Sequence, residues 1–524
     1  MTMQSDSWGI AFNEDNSHFF ATRAGQNLGV TEIEGFIARY AQTNVRDMFL
    51  NPNGMRTSYD SQAWEPIWAG YIPDAGDDQP LFASLSEARR KKDREWVHTA
   101  WELYSKGIDV YQIWIDQCRS NGMTSWMSVR MNDVHGVMDE HNYQHSSFWR
   151  SNPDFRRVTH RVADNQEPDK ALDYARPEVR RHFLSLIREL CYRYDMDGIE
   201  LDWMRGYRNL KPGWELEGQS ALNEFMSEVR AILDEKSAKC GCRIKLAVRV
   251  PSRPQVAWDL GLDVFTWIRM NWLDMLTVSP YFGVLDADMP IELWRSCMDG
   301  KKIILAACLE MLLPFGCFDI KKRFSTNSLE TLRAAALSYW SRGIDRLYLF
   351  NYMDAQDKWD TGVNMDISYI RDYRQILNEL GRPEQMQGKN RRHVLTYSTT
   401  VAIGDPVATP LPKTCSANNP GLFKLHIGPK PSGGVASIVL GCGAPSQIAS
   451  KIMTVWLNGS GCHPAQQPSI PPLPGPDHVA VFQADVSALK SGYNIIDVTM
   501  GSSEIVVNWV EIQWKPDGRD ERLT

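Results

Sequence analysis

The sequence predicts a (β/α)8 barrel followed by an antiparallel β-sandwich. Three observations predict it: the chain has 524 residues, apolar runs alternate with helix-period segments through most of it, and short alternating strands separated by Pro and Gly fill the remainder. An α/β barrel commonly takes about 200 to 250 residues as one unit. A chain of this length therefore accommodates one large domain and a smaller one.

Eight apolar runs have the length and composition of buried strands. They are residues 8–12, 45–50, 124–129, 198–203, 244–250, 274–279, 302–307 and 346–350. The helical segments between and after them are 31–42, 109–119, 177–194, 219–235, 290–298, 329–341 and 366–380. Pro177 stands at a first helical position, and Ser328 caps a helix before the acidic Glu330. Eight repeats of a strand followed by a helix are the pattern of a closed parallel barrel.

The predicted domains are a catalytic barrel over residues 1–382, a linker over 383–400 and a β-sandwich over 401–524. The connection after the second strand, about 51–108, is far longer than usual, and we interpret it as a candidate lid over the barrel. Gly381 and Pro383 end the last barrel helix. The predicted sandwich strands are 421–427, 435–441, 452–457, 479–485, 494–500 and 504–514.

Composition and charge restrict the class of protein. The chain is 43% hydrophobic and 23% charged, as in an average globular protein, and its net charge of -7 argues against a nucleic-acid partner. The N-terminus lacks a basic segment followed by an apolar one, and no apolar run is long enough to span a membrane, so we expect a cytoplasmic protein unless a leader has been removed. Ten Cys are too few for a disulfide scaffold, and we expect most of them to be reduced.

Polar side chains follow the predicted strands, at the end where barrels build their active sites. In chain order they are 13–18, 51–56, 130–135, Glu200, Asp202, Arg205, Arg249, Ser279, Tyr281, Glu310, Asn351 and Tyr352. Such a set suits a pocket for a polyhydroxylated ligand, and Arg130, Arg205 and Arg56 could donate in pairs to a carboxylate. The structural alternative is that carboxylates such as Glu200 and Asp202 pair with arginines inside the barrel.

The sequence predicts no cofactor and no metal. No glycine-rich phosphate-binding motif follows a strand, and no GxSxG nucleophile turn is present. His135, Asp139, His141 and His145 are metal-ligand residue types, but their spacing is unlike that of HExxH, so we interpret them as a polar loop.

Three segments together resemble the exo-sialidases of glycoside hydrolase family 156. They are NEDNSHFF at 13–20, RMNDVH at 130–135 and DGIELDWMR at 197–205. The third segment is also similar to the chitinase motif, but Met204 stands where chitinases need their acidic Glu. The resemblance covers most of the chain. It implies hydrolysis of terminal sialic acid from glycans with inversion, a catalytic pair of Asp15 and His135, no metal, and a homodimer.

An inverting glycosidase needs one group that protonates the leaving oxygen and another that activates water across the ring. The carboxylate of a sialic acid would favour the protonated form of both groups, so we assign His135 as general acid and Asp15 as general base. The reverse assignment stays open, because a buried carboxyl group can also serve as the acid.

Position at the strand ends selects the substrate-binding residues. They are Asn13, Arg130, Asn132, Glu200, Asp202, Arg205 and Asn351, with the two arginines facing the substrate carboxylate. Two alternatives stay open. One is an inverting or retaining glycosidase that uses Glu200 and Asp202 on another sugar, and the other is a non-catalytic glycan-binding protein.

Overall fold

A computed structural model describes residues 8–159, 167–281, 283–314, 324–350, 352, 373–397, 411–443, 445–471, 473, 478–501 and 503–517. Eight parallel strands form a closed barrel in which each strand pairs with its neighbours in chain order and the last pairs with the first. They are β1 (Ile10–Glu14), β2 (Val45–Leu50), β3 (Thr124–Arg130), β4 (Gly198–Asp202), β5 (Lys245–Pro251), β6 (Met275–Ser279), β7 (Ile304–Leu309) and β8 (Arg346–Phe350). The predicted barrel is confirmed.

Helices pack around the barrel. They are α1 (His18–Thr22), α2 (Val30–Ala38), α3 (Glu87–Ser105), α4 (Val110–Ser120), α5 (Ser147–Ser151), α6 (Pro177–Arg193), α7 (Glu215–Cys240), α8 (Pro254–Asp259), α9 (Val264–Arg269), α10 (Ile291–Cys297), α11 (Leu329–Ser341), α12 (Tyr373–Glu379) and α13 (Pro383–Met386). The predicted helix 366–380 is observed from Tyr373, and its first part lies outside the described residues. A short hairpin, Leu312–Pro314 with Phe324–Thr326, follows β7. None of the described helices is long and apolar enough to cross a membrane.

Large side chains fill the barrel interior below the strand ends. Trp126 of β3 stacks on Phe49 of β2 with ring centroids 5.2 Å apart. A Cβ at Gly198 of β4 would lie 2.5 Å from the Trp126 ring, so glycine makes room for the indole. The packed floor leaves the polar ends of the strands as the place for a site.

Part of the insertion after β2 lies against the outside of the barrel. Tyr59 Oη and the Gln62 backbone N–H donate to the carboxylate of Glu189 in α6 at 2.8 and 2.6 Å. The Trp64 ring stacks on His182 of the same helix at 4.3 Å. This part of the predicted lid is therefore docked on a helix, and it forms part of the outer wall of the barrel.

The C-terminal part is a sandwich of two antiparallel sheets, as predicted. Its strands are β9 (Arg391–Val394), β10 (Lys413–Cys415), β11 (Gly421–His426), β12 (Val435–Cys442), β13 (Met453–Leu457), β14 (His478–Ala484), β15 (Tyr493–Met500) and β16 (Ile505–Lys515), with a helix α14 (Ser446–Ile452). One sheet has the order β9–β16–β12–β14, with the short strand His463–Ala465 beyond β14, and β10 also pairs with β16. The other sheet has the order β11–β15–β13, with the two-residue strand Ser460–Gly461 beyond β13. Phe423, Ile438, Phe482 and Ile512 belong to the buried core between them.

Strand β9 lies inside the segment 383–400 that the sequence predicts as a linker, and it pairs with β16. Three of its four residues are basic, so the segment lacks the alternation of a strand. They are nevertheless buried, and the Arg392 guanidinium donates to Glu511 of β16 at 2.6 Å. The sandwich therefore begins earlier than the apolar pattern indicates.

Candidate active site

The end of β1 places two acidic side chains on opposite faces of the barrel wall. Successive residues of a strand alternate, so Asp15 points towards the polar end of the barrel interior and Glu14 points outwards. Glu14 is completely buried there and contacts His18 of α1, with Oε1 2.5 Å from Nδ1. This buried pair fixes the start of α1 against β1.

Asp15 is buried and accepts hydrogen bonds at both carboxylate oxygens. Ser17 donates to Oδ1 from its backbone N–H at 2.8 Å and from its hydroxyl at 2.7 Å, and Arg130 Nη2 donates to Oδ2. Burial by itself raises the pKa of Asp15, but Arg130, Ser17 and Arg205 outweigh burial and hold that pKa well below its usual range. Asp15 is therefore a carboxylate in the free protein.

Arg130 bridges Asp15 to a second carboxylate. Its Nη1 donates to Asp133 Oδ2 at 3.3 Å, and both side chains are buried. Burial alone would raise the pKa of Asp133, yet His135, Arg130 and Arg205 together hold it well below its usual range. A second ionised aspartate therefore lies beside the predicted catalytic pair.

His135 is held between Asp133 and Arg205. Its Nδ1 lies 2.9 Å from Asp133 Oδ1, and its Nε2 lies 2.7 Å from Arg205 Nη2. Because a guanidinium only donates and the aspartate is ionised, Nδ1 carries the hydrogen and Nε2 accepts, which is the neutral imidazole. The His135 side chain is 46% exposed, so it is within reach of a ligand at the barrel mouth.

Glu200 of β4 lies one layer deeper. Its Oε1 accepts from Ser128 Oγ and from Tyr348 Oη, both at 2.7 Å, and Tyr348 Oη also accepts from the Asn13 amide at 3.0 Å. No described residue donates to its other oxygen. Burial, followed by the neighbouring Asp202, raises the pKa of Glu200 to about 8. At neutral pH this carboxyl group is therefore mostly protonated.

Asp202 of β4 is paired with Arg249 of β5. The guanidinium donates from Nε to Oδ1 at 2.9 Å and from Nη2 to Oδ2 at 3.1 Å. Its Nη1 donates to Glu310 at 3.3 Å, and burial raises the pKa of Glu310 to about 8 in spite of that contact. Asp202 is thus held as one half of a forked ion pair inside the barrel, as the structural alternative for this residue predicts.

Asn132 uses both ends of its amide to hold neighbouring loops. It accepts from the Leu172 backbone N–H at 2.9 Å and donates to the Leu172 carbonyl at 2.9 Å and to Asn209 Oδ1 at 3.2 Å. The loop after β4 also passes close to it, since a Cβ at Gly206 would lie 1.8 Å from the Asn132 carbonyl oxygen. This side chain positions the loop that carries Arg205.

Two other predicted residues are not part of the described cluster. Arg56 is buried and donates to the carbonyl groups of His145 at 3.0 Å and Ala69 at 3.1 Å, so it holds the insertion. Asn351 lies outside the described residues. The structure thus brings together Asp15, Arg130, His135 and Arg205, with Asn13, Glu200 and Asp202 below them.

Asp133 and Ser17 are site residues that the sequence-based selection omits. Each belongs to a pair two residues apart, Asp133 with His135 and Asp15 with Ser17, and in each pair the aspartate accepts the backbone N–H of the later residue. An Asp two residues before a polar side chain is a common turn motif, so the spacing alone was too ordinary to single them out. Among the described residues, no three His, Cys, Asp or Glu side chains are grouped in a way that could hold a metal ion.

No family model and no curated protein matches the chain. It is similar to solved structures of a cycloisomaltooligosaccharide glucanotransferase from Paenibacillus sp. (8% identity, TM-score 0.35, 97% of this chain and 58% of that chain). It is also similar to alpha-L-fucosidase isoenzyme 2 from Paenibacillus thiaminolyticus (10% identity, TM-score 0.41, 71% and 48%). A GH36 alpha-galactosidase from Geobacillus stearothermophilus is a third (12% identity, TM-score 0.34, 97% and 55%).

The chain spans about half the length of each of these three proteins. Identities and TM-scores this low have no bearing on substrate or mechanism. The geometry of the site is therefore the basis for a function.

Proposed function

We propose that the protein is an exo-sialidase that releases terminal sialic acid from glycans with inversion of configuration, using Asp15 and His135. The observation that carries this proposal is the pair of buried arginines, Arg130 and Arg205, that contact these two groups. A sialic acid has a carboxylate next to its anomeric carbon, and guanidinium groups are the donors that match a carboxylate best.

The ionised state of Asp15 in the free site supports one assignment of roles. Asp15 is a carboxylate, so it can accept a proton from the attacking water as the general base. His135 then acts as the general acid: its Nε2, which carries no proton in the free site, must first take one up, and it gives that proton to the leaving oxygen while Asp133 holds the ring through Nδ1. The attack of water on the anomeric carbon and the departure of the aglycone occur in one step on opposite faces of the sugar.

Proton NMR of a freshly digested α-sialoside tests the proposal. We expect the β-anomer as the first product, and we expect Asp15→Asn and His135→Gln to lose activity. Release of the α-anomer first would overturn the inverting mechanism. Absence of turnover of every sialoside by the full chain would overturn the sialidase.

A glycosidase that acts on another sugar through Glu200 and Asp202 is the second candidate. The protonated state of Glu200 at neutral pH favours it, since a protonated carboxyl group is a general acid. The forked pair with Arg249 disfavours it, because Asp202 is already neutralised. A Glu200→Gln variant without activity, beside near-normal rates for Asp15→Asn and His135→Gln, would establish it.

A non-catalytic glycan-binding protein is excluded by any turnover of an aryl sialoside that Asp15→Asn abolishes.

A homodimer is the proposed assembly, on the basis of the family resemblance alone. Sedimentation of the full chain tests it, and a monomer at micromolar concentration would contradict it.

A further inference from the structure

In the free site Arg130 and Arg205 already donate hydrogen bonds to the two proposed catalytic groups, Asp15 and His135. Arg130 Nη2 donates to a carboxylate oxygen of Asp15, the proposed base. Arg205 Nη2 donates to His135 Nε2 at 2.7 Å. This Nε2 is the nitrogen that would carry the proton of the proposed acid. Neither group is ready for catalysis in this arrangement: Asp15 is a weakened base, and His135 has no proton on Nε2.

Among the residues that the structure describes, the charges of this cluster balance without a ligand. Arg130 and Arg205 are cations, Asp15 and Asp133 are anions, and His135 is neutral. Asp202, which lies below, has its own partner in Arg249. Both arginines of the cluster are less than a tenth exposed, and buried charges are stable only when they are paired. A carboxylate that enters the cluster adds one negative charge, and His135 is the neutral group beside Arg205 and Asp133 that can take up a proton to restore the balance.

We propose that binding of an anionic sugar activates the site. Its carboxylate accepts the hydrogen bonds that Arg130 and Arg205 otherwise donate to Asp15 and His135, and His135 Nε2 takes up one proton from the solvent as the sugar binds. This inference rests on the proposed sialidase function. Asp15 loses its contact with Arg130 and becomes the stronger base that attack of water requires. His135 loses its contact with Arg205 and becomes the imidazolium that protonates the leaving oxygen.

Activation of this kind makes the substrate charge a condition for catalysis as well as for affinity. A neutral sugar of the same shape has no carboxylate to accept from the two guanidinium groups, so these keep their hydrogen bonds to Asp15 and His135. Selectivity for acidic sugars then appears in kcat as well as in KM. Asp133 stays on Nδ1 throughout, so the ring keeps its orientation while Nε2 changes its protonation state.

Isothermal titration calorimetry in buffers of different ionisation enthalpy tests the inference. The probes are N-acetylneuraminic acid and its methyl ester, added to the full chain at neutral pH. We expect uptake of about one proton per bound acid and none for the ester. The uptake should be absent in His135→Gln and unchanged in His141→Gln, an exposed histidine of the same loop.

A second measurement covers the case in which His135→Gln fails to bind. Nitrogen-15 NMR of the wild-type histidines should show His135 Nε2 becoming protonated on addition of the acid and remaining unprotonated with the ester. Turnover of a sialoside without proton uptake would overturn this inference and leave the sialidase standing. Absence of both binding and turnover would overturn both proposals.

Discussion

At the scale of single residues, Ser17 has a direct effect on the proposed base. Its hydroxyl and backbone N–H both donate to Asp15 Oδ1 and favour the ionised carboxylate. Burial raises the pKa of Asp15, and Ser17 is one of the groups that reverse this effect. We therefore expect Ser17→Ala to raise the pKa of Asp15, so that the acid limb of the kcat/KM profile moves to higher pH.

Ser17→Thr is the matched control, because it keeps the hydroxyl donor. Its acid limb should coincide with that of the wild type, and both variants should keep wild-type melting temperatures. An acid limb that stays in place in Ser17→Ala, or that moves equally in Ser17→Thr, would contradict a role for this hydroxyl.

Asp133 decides which nitrogen of His135 carries the hydrogen in the free site. An asparagine there can present its NH2 group to Nδ1, which stabilises the wrong tautomer. We expect Asp133→Asn to lower kcat about 10²- to 10⁴-fold with a smaller effect on KM, as measured by steady-state kinetics on an aryl sialoside. Asp139 accepts the backbone N–H of His141 at 3.0 Å in a second turn of the same kind, so Asp139→Asn is the control and should keep full activity.

The residues of the site were predictable to different degrees, for a physical reason. Asp15 and Arg130 stand at strand ends, and alternation along a strand is enough to place them in the barrel. Asn132 also stands at a strand end, but its partners Leu172 and Asn209 are far away in sequence, and only the folded chain shows that they use its amide. The position of a residue on a strand predicts which side of the barrel wall its side chain leaves from, but it does not predict which residues that side chain contacts.

At the scale of elements, the barrel strands were predictable because buried parallel strands are nearly continuous apolar runs. Helix α3 of the insertion is not predicted, because its first two turns are almost entirely charged. Its buried apolar residues are Trp96, Val97, Ala100 and Leu103, all in the second half of the helix. The length of the segment 51–108 is the only feature that predicts a lid. Length cannot distinguish a lid from an insertion that packs on a neighbouring helix.

Glu189 of α6 provides a test of how the insertion is held. Tyr59 Oη, Ser61 Oγ and the Gln62 backbone N–H all donate to its carboxylate, and Tyr59 is buried. We expect Glu189→Ala to destabilise the protein by about 1–3 kcal/mol, since it leaves a buried hydroxyl without an acceptor. Chemical unfolding measures this change, and limited proteolysis should show earlier cleavage within residues 51–108.

The control for that variant is Glu178→Ala on the same helix. Glu178 pairs with Arg181 on the surface, where an ion pair contributes about 0–1 kcal/mol. Equal losses of stability in the two variants would mean that the insertion is not held by Glu189.

At the scale of the whole molecule, the sandwich is docked on the barrel through a charged joint. Arg342, at the end of α11, makes a forked pair with Glu292 of α10 at 2.7 Å and also donates to Asp288 at 3.0 Å. Tyr493 of β15 donates to the same Asp288 at 2.8 Å. The barrel side of this joint comes from α10 and α11, the helices that precede β7 and β8, so it ties the sandwich to the scaffold of the site.

We expect His426 of β11 to make the joint sensitive to pH. Its Nδ1 accepts from Ser338 Oγ of α11 at 2.7 Å and from the Gly428 backbone N–H at 3.2 Å, so the neutral ring holds the two domains together. Burial, followed by Arg342, lowers the pKa of His426 to about 4, and the facing Asp288 and Glu292 only partly offset this. The unfolded chain binds this proton near the ordinary histidine value of about 6.5.

The unfolded state therefore binds more protons than the folded state between those two pKa values, and stability must fall as the pH falls through that window. In His426→Asn the amide oxygen can replace Nδ1 as acceptor, but the side chain does not titrate. We expect the drop in melting temperature between neutral pH and about pH 5 to be smaller in this variant than in the wild type. The exposed His463 of the same domain gives the control His463→Asn, in which the wild-type drop should persist. If His426→Asn loses as much stability on acidification as the control, the joint is not the source of the pH dependence.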